Sequence, residues 1–287
     1  MTIITKLPGP LLVFFGACSL SFGGLIVKSF DGATLWQILF WRSLFFSLTV
    51  LVFLVISYKK KTFSAFKLSG LPGFFGGIIL SFGFSGYVIA MYNTTVANTN
   101  FIISLQILFL ALFGYFFLKE KISAITLTSI ILAMTGVLLM VGNSLTPGEL
   151  FGNLAAFTMP ITFAILIIIV RKFPSVDMIP AQFVAGVSAC LIGLFLSTNL
   201  MISPHDIFLS FIAGFFQVGF GFIFITIGAR TTPSAMVGII MLSESVLGPL
   251  WAFLFASERV PLFTIIGGAI ILFSVLLQFY KLLIIKK

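Results

Sequence analysis

The sequence predicts an all-α polytopic membrane protein, with ten transmembrane helices arranged as two inverted five-helix repeats. Composition, the spacing of apolar runs and an internal repeat predict it. Of 287 residues, 60% are hydrophobic and only 8% are charged. A soluble domain carries about 25% charged residues. So few charges cannot cover a water-facing surface, which excludes soluble, disordered and fibrous classes. Cys18 and Cys190 both sit inside apolar runs, so a secreted disulfide scaffold is excluded as well.

A helix needs roughly 20 apolar residues to cross the hydrocarbon core. Ten runs qualify: 9–29, 34–57, 70–91, 95–117, 122–142, 149–170, 178–198, 206–228, 233–255 and 260–283. Turn chemistry and charge separate them. The breaks include Ser29-Phe30-Asp31-Gly32, Tyr58 to Lys61, Lys119-Glu120-Lys121, Asn143 to Gly148 and Ser257-Glu258-Arg259. The connections are a handful of residues each, too short for a soluble domain. Lys6 before the first run resembles a secretory signal, and Phe15-Gly16-Ala17-Cys18 a lipoprotein cleavage site. The run continues well past Cys18 and apolar spans follow it, so an uncleaved first helix is expected.

The net charge of +9 would suggest nucleic acid in a soluble chain. Here it follows from loop lysines and arginines that orient membrane helices. Suppose the N-terminus is cytoplasmic. The inside loops then hold Lys6, Lys59, Lys60, Lys61, Lys67, Lys119, Lys121, Arg171, Lys172, Arg230, Lys281, Lys286 and Lys287, which is 13 of the 16 basic residues. Outside fall only Lys28 and Arg259, with Asp31, Glu149, Asp206 and Glu258. Both termini are therefore expected in the cytoplasm of a bacterial-type inner (plasma) membrane. No nucleic-acid partner is expected. The run Lys59-Lys60-Lys61 is expected to meet anionic lipid.

At an offset of 138 residues, 90–140 lies on 228–278 without a gap. Thr94 meets Thr232, Ala97 meets Ala235, Thr126 meets Thr264, and Glu120-Lys121 meets Glu258-Arg259. Apolar matches are weak in this composition; the acidic–basic pair at one loop position is the stronger signal. The repeat units are 1–145 and 146–287. Each holds five spans, and an odd number sends the second copy through the membrane in the opposite sense. Such inverted repeats are built to expose one site alternately to each side.

Several stretches resemble the drug/metabolite transporter superfamily, specifically the EamA-like carriers with ten helices. They are Trp36 to Phe45 with Arg42, Ala90-Met91-Tyr92-Asn93-Thr94-Thr95-Val96-Ala97, Phe117 to Lys121, and Leu242-Ser243-Glu244-Ser245-Val246-Leu247-Gly248-Pro249-Leu250-Trp251 running to Glu258-Arg259. The resemblance covers nearly the whole chain. It implies ten helices around a central cavity and carriage of small metabolites, without fixing substrate or direction. The family often bears a Glu in the fourth helix as well as the ninth. Here the repeat mate of Glu244 is Gln106, so one half alone carries the charge.

Two ionisable residues fall within spans. Glu244 is near the middle of the ninth, where a charge costs about 3 kcal/mol on insertion scales. It is a candidate for proton coupling or for balancing a cationic substrate group. The bland reading is a carboxyl bonded to a neighbouring helix, or paired with Arg42. Arg42, in the second span, can hold a carboxylate or phosphate with its planar fork. Its bland readings are a pair with Glu244 or Asp31, or snorkelling to headgroups. Gln106, Ser104, Ser243 and Ser245 flank the Glu244 level and are solute-orienting candidates; plain interhelical hydrogen bonds, at roughly 0.6 kcal/mol each, serve as well. Trp41 beside Arg42 is a candidate for substrate stacking, with Tyr87 and Trp251. Trp36, Tyr92 and Tyr280 read more simply as interface anchors. The small residues of span three, from Gly73 to Gly86, signal close helix packing. Gly248 and Pro249 form a candidate hinge close to Glu244.

A lone histidine, His205, offers no metal or His-based catalytic cluster, and no nucleotide-binding loop occurs. No cofactor and no enzymatic activity are expected. The reading is a secondary active transporter of a small organic metabolite, an amino acid or related solute, coupled to protons through Glu244. A riboflavin-like vitamin or an organic cation is the alternative substrate. Rivals of another class are a passive channel, a non-transporting membrane partner and, last, a membrane enzyme. A monomer or homodimer is expected.

Overall fold

The structure is a computed structural model that describes residues 7–94, 96–141, 150–256 and 262–285. These residues form fourteen α-helical segments and no strand. In order they are α1 (Gly9–Leu20), α2 (Gly23–Lys28), α3 (Leu35–Tyr58), α4 (Thr62–Asn93), α5 (Val96–Ser104), α6 (Gln106–Leu118), α7 (Ala124–Val141), α8 (Leu150–Lys172), α9 (Ile179–Leu196), α10 (Pro204–Ile212), α11 (Gly221–Ala229), α12 (Ser234–Met241), α13 (Ser243–Ala256) and α14 (Leu262–Ile285). A π segment, Ala213–Phe220, joins α10 to α11.

Eight helical stretches are long and apolar enough to cross a bilayer, with mean hydropathy from 1.4 to 2.3. One of them, Leu35–Asn93, runs for 59 residues. At 1.5 Å per residue this is about three times the 30 Å hydrocarbon core. It is not one straight rod. The backbone takes positive φ at Lys59 (49°), which opens a 3₁₀ turn at Lys59–Lys61, and again at Gly70 (54°). A further apolar helix, Ala124–Met140, falls just short of the length of the eight. The loops expected at 143–148 and 257–259 lie outside the described residues, as do Glu149, Glu258 and Arg259.

Three of the expected spans are interrupted within the membrane-length run. The first breaks at Ser21-Phe22, the fourth at Leu105 and the ninth at Leu242. The eighth holds the π segment. Apolar periodicity could not reveal these points: in the first and eighth spans the freed backbone groups are satisfied by partners distant in sequence, and at Leu105 and Leu242 by local i→i+3 bonds. Ser19 Oγ donates to the Phe216 carbonyl (2.7 Å) in the π segment. Gln217 Nε2 donates back to the Leu20 carbonyl (3.3 Å) at the α1 break. In lipid an unsatisfied carbonyl costs several kcal/mol, so each irregular helix supplies the partner that the other needs.

Packing follows the repeat. Offset by 138, α5 begins where α12 begins, and α7 where α14 begins. The main helix pairs keep the same order: α4 packs on α8 as α11 packs on α1, and α4 on α9 as the π segment on α3. The pairs α3–α9 and α7–α14 join equivalent helices of the two halves. Glycines permit the close crossings. A Cβ at Gly77 would press on the Ala181 carbonyl oxygen and on the Val184 side chain at 2.7 Å. Gly77→Val therefore lowers stability by about 3 kcal/mol, the upper end of the usual overpacking cost. Thermal unfolding in detergent, followed by circular dichroism, measures it; an unchanged midpoint would contradict this packing.

Candidate functional site

A small central cavity of about 40 Å³ lies between the halves. It brings together Arg42 of α3, Phe84 and Tyr87 of α4, Ile103 and Gln106 of the α5–α6 break, Met159 and Phe163 of α8, Gln217 and Val218 of the π segment, and Met241 and Glu244 at the α12–α13 break. Leu20 and Phe222 complete the lining.

The helix breaks explain why polar side chains reach this point. Leu105 N–H bonds back to the Ile102 carbonyl at 3.1 Å, and Leu242 N–H to the Ile239 carbonyl at 3.2 Å. These are i→i+3 bonds, which tighten the turn at a helix end. Each is followed at once by the polar residue: Gln106 opens α6, and Glu244 lies in the first turn of α13. The two repeat mates thus share one cavity. A carboxylate in the first turn of a helix also meets the positive end of its dipole. Ser104 and Ser245 hydroxyls meet across the two breaks at 3.2 Å.

Arg42 is buried, at 6% exposure. Among the described residues no carboxylate pairs with it. Its Nη2 donates to the Phe84 carbonyl at 3.5 Å, the far limit of a useful hydrogen bond. Its guanidinium lies 5.4 Å from the Tyr87 ring centroid and 5.9 Å from that of Phe84. Cation–π contact of this kind contributes about 0.5–2 kcal/mol. Among the described residues most of its five N–H donors therefore have no strong acceptor. Glu244 makes no ion pair among the described residues either, although both line one cavity. The pair expected as a bland reading is not formed.

Trp41 and Ser243 lie elsewhere. Trp41 is not in the cavity lining; its Nε1 donates to the Leu200 carbonyl at 2.8 Å and its ring stacks on Phe45. Ser243 is fully buried, and its hydroxyl has no hydrogen-bond partner among the described residues. Gly248 and Pro249 sit inside α13, which continues past them. Tyr92 donates to the Ala33 carbonyl at 2.5 Å. Trp251 donates to Ser21 Oγ at 2.7 Å and stacks on Phe22 at 4.6 Å, at the break in the first helix. Gln217 was not singled out in the sequence. Its signal lay in a glutamine inside an otherwise apolar run.

Beyond Arg42, Tyr87 and Gln217 lies a second, smaller void of about 10 Å³. Those three residues line both spaces, which makes them the partition between the two. The void extends towards Phe30, Tyr92 and the end of the bundle that carries Asp31 and Asp206. The opposite end is cross-tied. Glu120 pairs with Arg171 and accepts from Ser234 N–H at 2.8 Å. Arg171 Nη1 donates to the carbonyls of Ala229 (3.3 Å) and Thr232 (2.6 Å). One carboxylate and one guanidinium thus link the end of α6, the end of α8 and the α11–α12 turn.

Apolar helices on the membrane scale, packed as two similar halves around a cavity lined by Arg42 and Glu244, define a polytopic membrane protein. The chain belongs to the EamA-like transporter family, whose profile matches residues 7–142 and again 146–280. It is similar to an uncharacterized transporter of Methanothermobacter thermautotrophicus (strain ATCC 29096 / DSM 1053 / JCM 10044 / NBRC 100330 / Delta H), with 23% identity over 211 residues. That match takes in 68% of this chain and 60% of the relative. The fold is similar to that of a solved crystal structure described only as that of a protein. The TM-score is 0.79 at 17% identity, over 94% of this chain and 96% of the other.

Proposed function

We propose that this chain is a secondary active transporter that moves a small organic metabolite, an amino acid or related solute, across the plasma membrane by alternating access. The observation that carries the reading is the shared cavity of Arg42 and Glu244, each without an ion-pair partner among the described residues. A buried guanidinium without a strong acceptor suits an anionic substrate group. Glu244, which lines the same cavity, suits a cationic group or a transferable proton. Gln106 and Gln217 supply neutral donors and acceptors between them. Phe84, Tyr87, Phe163 and Phe222 suit the apolar part of the solute.

Ten spans fit the helices when Leu35–Asn93 is divided at its two positive-φ positions and Ala124–Met140 is counted. Five then fall in each of 1–145 and 146–287, which gives the inverted relation that alternating access needs. The excess of basic residues on one set of loops supports cytoplasmic termini. On that orientation the Glu120–Arg171 network closes the cytoplasmic side, and the void beside Tyr92 leads outward.

Counterflow into proteoliposomes tests the function, with amino acids, organic cations and riboflavin as solutes. Saturable exchange of one class supports a carrier. Flux proportional to concentration would favour a channel, and no flux from folded protein a non-transporting partner. The closure has its own test. In a Cys18→Ser/Cys190→Ser background, Ala229→Cys is labelled slowly by a membrane-impermeant maleimide. Adding Glu120→Gln raises the labelling rate at least tenfold, because Arg171 loses its carboxylate and Ser234 N–H its acceptor. Losing bonds to a charged group costs about 1.5–3 kcal/mol. An unchanged rate would remove this network from the closure.

A further inference from the structure

We propose that the segment Lys59–Leu71 is a docking surface for anionic phospholipid at the membrane–water boundary. The proposal rests on the chain being a membrane protein and not on transport. Sequence alone offers Lys59-Lys60-Lys61 as a basic run beside a span. The structure adds a surface built around it. Positive φ at Lys59 and Gly70 sets the residues between apart from the helices that precede and follow. The 3₁₀ turn Lys59–Lys61 leads into one short helical stretch, Thr62 to Ser69.

That stretch has two faces. Ala65 and Ser69, one turn apart, are buried at 2% and 5% exposure. Phe66 meets Phe183 of α9 edge-on, with ring centroids 5.4 Å apart. This face fastens the segment to the bundle. The other face presents Phe63, 82% exposed, and Leu68, 72% exposed, with Leu71 following at 70%. Lys59, Lys60, Lys61 and Lys67 are exposed in the same segment. None of the four forms an ion pair among the described residues. The nearby Asp177, on the α8–α9 connection, is already engaged by Tyr58 OH (2.6 Å) and by the Ile179 N–H (2.9 Å).

Charge and shape choose the occupant. Four lysines ask for anions. A soluble anion would leave Phe63, Leu68 and Leu71 exposed to water, whereas a lipid takes both groups at once. Its phosphate meets the ammonium groups, and its acyl chains cover the rings and leucines. Lysine stems follow the apolar surface while their ends reach headgroups. A segment that sets lysines among exposed apolar side chains lies in the plane of the interface in this manner. Each lysine near an anionic surface contributes about 1 kcal/mol, or about fivefold in partition. The segment also continues from α3, which carries Arg42, into α4, which carries Tyr87. A bound headgroup would thus stiffen the joint between two walls of the cavity.

The test is Phe63→Trp fluorescence in reconstituted full-length protein, with the same protein lacking that substitution as background for Trp36, Trp41 and Trp251. Quenching by brominated phosphatidylglycerol is compared with quenching by brominated phosphatidylcholine across mixing ratios. The expected result is at least a fivefold preference for phosphatidylglycerol at low salt, weakened in 0.5 M salt as screening demands. Replacing Lys59, Lys60, Lys61 and Lys67 together with Gln abolishes the preference. Replacing Lys119 and Lys121 with Gln leaves it intact. If the fourfold variant does not fold, Lys67→Gln alone is measured, and a twofold or greater fall in preference is required. Equal quenching by both lipids would overturn the proposal. So would equal loss in the Lys119/Lys121 control, which would assign the effect to diffuse charge. Neither outcome bears on transport.

Discussion

Glu244→Gln is expected to leave a folded protein that no longer couples solute movement to a pH gradient. Gln has nearly the shape of Glu and keeps hydrogen-bonding capacity, so the packing of α12 and α13 is preserved. What is lost is the exchangeable proton. In the carrier reading, Glu244 takes a proton when its side of the bundle faces the more acidic compartment and gives it up on the other. In the wild-type protein an imposed inward-acid gradient is expected to drive accumulation at least tenfold above the gradient-free level. In the variant, accumulation falls to that level, while exchange of internal for external solute without a gradient persists. Paired uptake and counterflow assays in one preparation separate the two. Gradient-driven accumulation equal to wild type would remove Glu244 from coupling.

The location of the effect rests on features unequally legible in the sequence. The membrane class and the two-repeat layout were legible in composition, apolar runs and the Glu120/Glu258 register, and the family in the resemblance of stretches such as Trp36 to Phe45 and Leu242 to Trp251. Helix ends were legible where turn chemistry or charge marked them, as at Asp31-Gly32 and Lys119-Glu120-Lys121. The interruptions at Ser21, Leu105 and Leu242 were not. Each lies in an unbroken apolar run, because its backbone groups are satisfied by side chains such as Gln217 and by local i→i+3 bonds. Gln106 and Glu244 were legible as repeat mates within spans. Their meeting in one cavity with Arg42 depends on those interruptions, which no apolar period encodes. Trp41 was singled out as the neighbour of Arg42. Consecutive residues on a helix point about 100° apart, and its indole turns to the Leu200 carbonyl instead. Gly77 shows the converse case. Glycine density in span three announced close packing, and the partner, Ala181 of α9, emerged only from the tertiary arrangement.

Arg42 gives the second large effect, and two substitutions divide its roles. Arg42→Gln removes the charge, and Arg42→Lys keeps it while losing the planar fork. If the side chain held only structural contacts, the loss would be small. It has one carbonyl bond at 3.5 Å and two ring contacts, and neither role requires an anion. If it receives the anionic group of the solute, much more is lost. A charge-assisted pair in a water-poor cavity contributes several kcal/mol, and leaving the substrate anion unpaired there costs at least as much. Arg42→Gln is therefore expected to reduce exchange at subsaturating solute at least a hundredfold. Arg42→Lys is expected to fall between, about tenfold down, because a single ammonium cannot grip both oxygens of a carboxylate. The decisive readout is selectivity. In the Gln variant, an uncharged amide analogue of the transported solute loses far less than the acid itself. A loss equal for acid and amide would assign Arg42 to structure, and the cavity would then owe its anion preference, if any, to another group.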